Sequence, residues 1–245
     1  MARYRLDIEY DGTLFVGWQR QANGLAVQQV IEDALAAIDG AAVVIRGAGR
    51  TDTGVHATAQ VAHADLIKDW RGDRLRDAVN ARMRPHAVAV TQATQVDDEF
   101  DARFSAIRRR YLYRIVNRRA PLTIDAHRAW LVKRPLDAEA MHEAAQLLLG
   151  KHDFSTFRDS DCQAASPIRT LERLDVSRIG DELHVYASAR SFLHHQVRSM
   201  VGSLEHVGSG KWRPRQLREA LDAKSRHRCG TVAPAAGLYL IGVDY

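Results

Sequence analysis

The chain has 245 residues, 46% of them hydrophobic and 27% charged, which is enough apolar mass for a sizeable core. No uninterrupted apolar run approaches the ~20 residues a membrane-spanning helix needs. The formal net charge of +5 and pI of about 9.4 point toward a polyanionic partner. Cys162 and Cys229 stand far apart without metal-ligand spacing, so reduced thiols are expected rather than a disulfide framework or a zinc site. Met1-Ala2-Arg3-Tyr4-Arg5 leads straight into an alternating strand, with no apolar leader segment, and the expected location is cytoplasmic.

Tyr4, Leu6, Ile8 and Tyr10 alternate with polar residues and predict a half-buried strand that stops at Asp11-Gly12. Val27, Val30, Ile31, Ala34 and Ile38 recur at helical spacing up to Asp39-Gly40. A strand over 42–46 is expected next, then a loop, an extended stretch over 56–65, a helix through Leu75, Val79 and Arg82 broken at Pro85, and a strand from Val88. The second half predicts a strand over 109–116 and a helix from the N-cap Asp137 to Gly150. Strands over 170–177 and 182–189 flank a Gly180-Asp181 hairpin. A helix through Leu193, Val197, Met200 and Leu204, a shorter one after Pro214, and a strand over 238–243 complete the chain. The pattern reads as two β-α-β-β-α-β units, hence an α+β protein of two ferredoxin-like halves, 1–105 and 106–245. If their sheets join edge to edge, they make one continuous, mainly antiparallel sheet with a central cleft.

Two stretches carry chemistry. Gly49-Arg50-Thr51-Asp52-Thr53-Gly54-Val55-His56-Ala57 sets one carboxylate between glycines, small hydroxyls and a guanidinium. An opposite charge nearby favours the ionised form, which suits an aspartate acting as nucleophile or base. A tight turn with a capping aspartate is the plainer alternative. Arg103, Arg108, Arg109, Arg110, Arg114, Arg118 and Arg119 cluster around Tyr111 and Tyr113. Arginines among rings suit phosphate contact and base stacking, so the expected partner is RNA. His56, His194 and His195 lack a third ligand at sensible spacing, and no metal is assigned. Arg169, at a strand entry, is a candidate phosphate contact.

The string GRTDTGVHA resembles the catalytic loop of the tRNA pseudouridine synthase A family. Ile8 to Gly12 with Gly17 to Gln21, Arg108 to Tyr113, Phe192 to Gly202 and Gly237 to Leu240 are similar to further family segments in the same order. Arg84 departs from the pattern, standing where an apolar residue is usual. The resemblance implies the pseudouridine synthase fold and an isomerase acting on uridines 38, 39 and 40 in the anticodon arm of tRNA, without cofactor, as a homodimer. It implies Asp52 as the catalytic residue, Arg198 as its charge partner and Tyr111 as the platform stacking on an everted uracil. Arg198 follows His194 by four residues, so both leave one helix face. Arg50 is expected at the RNA backbone or in the gap left by the flipped base. His56, Arg109, Arg110, His194, His195 and Arg169 complete the expected RNA contacts.

The chemistry asks for no more than these groups. The N1–C1′ bond breaks, the base turns, and a C5–C1′ bond forms, with no electrons gained or lost. Attack of a carboxylate on C1′ and removal of the C2′ proton, giving a glycal, are both open routes. A non-enzymatic protein of two RRM-like units would explain the charge but not GRTDTGVHA, and it lacks an RNP1-type signature. An aspartate-nucleophile hydrolase would want acidic metal ligands near Asp52, whose neighbours are Arg50, Thr51 and Thr53.

Overall fold

The computed structural model describes residues 1–245. In chain order its elements are β1 (Ala2–Tyr10), α1 (Val27–Asp39), β2 (Arg46–Gly47), β3 (His56–Leu66), α2 (Gly72–Met83), β4 (Val88–Val96) and β5 (Arg108–Val116). They continue with β6 (Trp130–Leu131), α3 (Ala138–Gln146), β7 (Gly150–Asp153), β8 (Ile168–Ile179), β9 (Glu182–Ala189), α4 (Gln196–Gly208), α5 (Pro214–Asp222) and β10 (Leu238–Asp244). The mixture is α+β, as expected. No helix is long and apolar enough to cross a membrane. The chain forms two compact units, Met1–Ile107 with Tyr239–Tyr245, and Arg108–Leu238.

In the first unit the strand order is β4-β1-β3-β10, with β2 on β3. β1 runs antiparallel to both β3 and β4, and β10 joins β3 in parallel through Tyr239↔His56 and Leu240↔Ala57. Tyr4, Leu6, Ile8 and Tyr10 are all buried, the period-2 face that the alternation predicts. α1 buries Val27, Val30, Ile31, Ala34 and Leu35 along one stripe, and α2 buries Leu75, Val79 and Met83 at four-residue steps.

The strand expected over 42–46 is only Arg46–Gly47. Ile45 does point inward, but its N–H donates to the buried carboxylate of Glu32 at 3.1 Å instead of to a neighbouring strand. Glu32 also takes hydrogen bonds from Gln28 at 2.8 Å and Arg20 at 3.0 Å. A helix side chain thus substitutes for a ladder partner.

In the second unit the order is β5-β9-β8-β7, all antiparallel, with β6 lying parallel on β5. α3 packs on β8 and is capped by Asp137, whose carboxylate accepts Glu139 N and Ala140 N at 3.0 Å each. β8 and β9 form the hairpin expected at Gly180-Asp181. The element order nevertheless departs from a second β-α-β-β-α-β copy. Two short strands beyond those expected are present, β6 between β5 and α3 and β7 starting at Gly150, while the short helix α5 after Pro214 is where it was expected. β7 has only four residues with a His and two charged side chains among them, so it shows no hydrophobic alternation to find.

Candidate active site

The Asp52 loop is built on the end of β1 and the start of β3. Trp18 N donates to Thr51 O at 3.0 Å, Thr53 Oγ1 to Val16 O at 2.9 Å, and Val55 N back to Asp52 O at 3.1 Å. The connection after β1 therefore lies directly against the loop. Gly17 makes this approach possible: its φ is +108°, and a Cβ there would sit 2.7 Å from Thr51 O. Asp52 is half-buried and Arg50 is exposed beside it. A side chain held between core and solvent in a hydrogen-bonded loop has the presentation a carboxylate nucleophile or base requires.

His56 departs from its expected place on an RNA surface. It is 2% exposed, its ring stacks on Tyr239 at 4.7 Å, and its Nδ1 accepts Gly12 N–H at 3.1 Å. An accepting Nδ1 places the ring proton on Nε2, so the 3.2 Å approach of Asp11 is not an ion pair in that tautomer. His56 is a packing residue that fastens the turn after β1.

In the second unit the period of β5 separates the two neighbouring arginines. Arg109, Tyr111, Tyr113 and Ile115 are buried, whereas Arg108 and Arg110 are exposed on the opposite face. Arg109 is held by the carbonyl of Arg190 at 2.7 Å, so it is anchored in the protein rather than displayed alongside Arg110. Tyr111 meets the edge of Phe192 at 5.3 Å, nearly perpendicular. Tyr113 is fully buried and donates its hydroxyl to Pro234 O at 2.7 Å. Burial pushes its phenol well above the usual range, against the lowering influence of Arg198. Tyr113 is thus a neutral structural donor.

α4 starts immediately after His195, which adopts φ +59° at the N-cap. Its ring Nδ1 lies 2.6 Å from Asp159 Oδ2, and His194 Nδ1 lies 3.7 Å from Asp159 Oδ1. Asp159 N also donates to His194 O at 3.1 Å. Burial raises the Asp159 carboxyl, but hydrogen bonds from Asp161 and His195 outweigh it and hold the group below the ordinary carboxylate range. Asp159 therefore holds His195 through its carboxylate and His194 through its main-chain N–H.

Arg198, one turn further on, is half-buried and fastened by main chain. Its Nε donates to Ala233 O at 2.8 Å, and Ala233 N returns a bond to Arg198 O at 3.1 Å. Gly202 lets that segment reach the helix, because a Cβ there would overlap the Thr231 carbonyl oxygen. Arg169 spends its Nη1 on Ser166 O at 2.9 Å and Ile168 O at 2.7 Å, and burial lowers its pKa.

Within the first unit, then, the fold gathers Arg50 and Asp52 on one loop, with His56 in the core beneath. Within the second it gathers Tyr111, His194, His195 and Arg198 around the start of α4, while Arg110 faces away from Tyr111 and Arg169 braces its own strand entry. Asp159, Phe192, Tyr10 and Gln60 support these groups and were not singled out by the sequence. Phe192 opens a conspicuous segment, but an aspartate 36 positions before His195 carries no local signal.

The family model described as tRNA pseudouridine synthase matches residues 8–105 and 144–245. A protein named tRNA pseudouridine synthase A from Beijerinckia indica is 74% identical over 245 residues, covering all of this chain and 94% of the relative. Proteins of the same name from Methylocella silvestris and Mesorhizobium japonicum are 65% and 62% identical, each across the whole of this chain and 99% and 100% of theirs. With similarity end to end and the aspartate loop intact, the chain belongs to the tRNA pseudouridine synthase family.

Proposed function

We propose that this chain converts uridine to pseudouridine in the anticodon stem-loop of tRNA, at positions 38, 39 and 40, and that it works in the cytoplasm as a homodimer. The observation that carries the reading is the intact GRTDTGVHA loop, with Asp52 half-buried at its centre, in a chain similar to tRNA pseudouridine synthases over its full length. Asp52 is the group that acts on the ribose, either by attacking C1′ or by taking the C2′ proton. Arg198 is its countercharge. Tyr111 stacks on the everted uracil, an interaction typically worth ~1–3 kcal/mol. Arg50 and Arg110, both exposed, contact the RNA backbone, with His194 and His195 at the start of α4 close to the substrate.

The reaction conserves every atom. Cleavage of N1–C1′ frees the uracil, rotation presents C5, the C5–C1′ bond forms, and the C5 proton leaves while N1 gains one. The protein must hold the base, stabilise charge at the sugar and move a proton; no redox equivalent or transferred group enters.

The test is release of tritium from C5-labelled uridine in tRNA, with mapping of the modified positions. Wild-type protein should release label and modify the anticodon arm, and Asp52→Ala should do neither while still binding tRNA. Turnover by Asp52→Ala would remove Asp52 from the chemistry, and modification confined to another arm would remove the site assignment. Affinity should fall steeply with salt as counterions are released.

A further inference from the structure

Two buried polar side chains outside the motif grip the Asp52 loop, and we propose that Tyr10 and Gln60 are positioning residues that set the direction of the Asp52 carboxylate. The inference rests on the reading of Asp52 as the group acting on the ribose. Tyr10 ends β1 and is 5% exposed; its hydroxyl lies 2.8 Å from Oγ1 of Thr51, itself 7% exposed. Gln60 is fully buried in β3. Its Nε2 donates to Gly49 O at 2.9 Å, and its Oε1 accepts Val61 N at 3.1 Å. With Trp18 N on Thr51 O and Thr53 Oγ1 on Val16 O, the loop is fixed before and after Asp52. None of these four bonds uses the Asp52 carboxylate.

The pairing of β1 with β3 is irregular beside these two residues. From Ala2↔Leu66 to Ile8↔Gln60 the two strands keep one register, which continued would set Tyr10 against the exposed Thr58. Tyr10 pairs instead with the buried Ala57, because β3 carries one extra residue. Bulges of this kind re-aim side chains beside functional sites. Tyr10 faces inward by the alternation of β1 itself, and the extra residue in β3 sets the buried Ala57 opposite it; from these paired strands the Tyr10 hydroxyl and the Gln60 amide reach one loop. A phenylalanine at 10 or a methionine at 60 would fill the same core volume. The hydroxyl and amide are therefore not required to fill the core; apart from the Gln60 Oε1 contact with Val61 N, what they touch is the main chain and side chain leading into Asp52.

The test is a double-mutant cycle on the full chain, Tyr10→Phe and Thr51→Val singly and together, with Gln60→Met beside them. Each is read for kcat and KM on tRNA and for its urea midpoint. Tyr10→Phe and Gln60→Met should each lower kcat about 10- to 100-fold with KM within about twofold, since a displaced reacting group costs rate rather than binding. The double variant should fall no further than the worse single, because both remove one hydrogen bond. A merely structural contact would move the urea midpoint and leave kcat of the folded protein unchanged; that result, or additive losses in the cycle, overturns the proposal. Asp52→Ala run alongside separates the two readings. If it is inactive while Tyr10→Phe is fully active, only the positioning role is lost; if it turns over, both readings are lost.

Discussion

The loop that carries Asp52 and the helix that carries Arg198 both rely on a glycine for a close backbone approach, at Gly17 and Gly202, yet the loop adds a set of side-chain braces. Besides the Trp18 N bond to Thr51 O, the loop is braced by side-chain hydroxyls and an amide: Tyr10 on Thr51, Thr53 on Val16, Gln60 on Gly49. α4 is almost wholly buried, and Arg198 is fastened by the backbone of Ala233, which reaches the helix only because residue 202 lacks a side chain. A region braced by polar atoms fails when one atom is removed. A region braced by close backbone contact fails when volume is added.

That contrast is open to direct attack. The largest effect should come from Asp52→Asn, which preserves shape and removes charge: kcat should drop by more than about 10³-fold with an unchanged urea midpoint. Near-wild-type turnover would take Asp52 out of the comparison altogether. Gly202→Ala should come next. Its Cβ meets a carbonyl rather than a flexible side-chain end, so the segment after Cys229 must shift, at about 1–3 kcal/mol of stability in urea. A stable Gly202→Ala protein with full kcat would show that the backbone clamp on Arg198 is dispensable.

Glu32→Ala sharpens the same distinction away from either site. It strips the acceptor from Ile45 N, and about 2 kcal/mol of stability should go, with kcat of the folded protein retained. Unchanged stability would mean that water or a rearranged strand had replaced the carboxylate.

The smallest effect is a pH dependence in the first unit. His63 is buried in β3, where its Nδ1 accepts Ala102 N at 3.0 Å. Burial lowers its pKa. Asp101 and Asp65 oppose that shift, and Arg3 and Arg46 assist it. Below about pH 6.5 the unfolded chain takes up a proton that the folded chain refuses, so stability is full above that pH and declines on acidification. Melting followed from pH 7 to 5.5 should show a decline of no more than about 1 kcal/mol, smaller in His63→Gln. An identical decline in both proteins would assign the effect to other groups.

The elements with strong periodicity were legible. β1, α1, β5 and the β8–β9 hairpin follow from alternation, helical spacing and a Gly-Asp turn, because each buries one continuous face. The stretch over 42–46 misled because Val43 and Ile45 are buried outside any strand, the Ile45 N–H being met by Glu32 thirteen residues earlier. The loop around Asp52 was legible as a string of nine residues. His56, in the same string, was legible only as packed or RNA-contacting; its neighbours in space, Gly12 and Tyr239, make it packed.

By itself the sequence determined the α+β class, the family resemblance, the aspartate loop and the arginine-rich strand, since these depend on residue type and spacing along one segment. Tertiary structure decided which face of that strand is buried, that His56 is buried, and that Asp159 joins both His194 and His195. It also decided that Tyr10 and Gln60 reach the same loop. Those facts depend on contacts between residues tens of positions apart, where a single bulge or a missing Cβ changes the outcome and no local pattern records it.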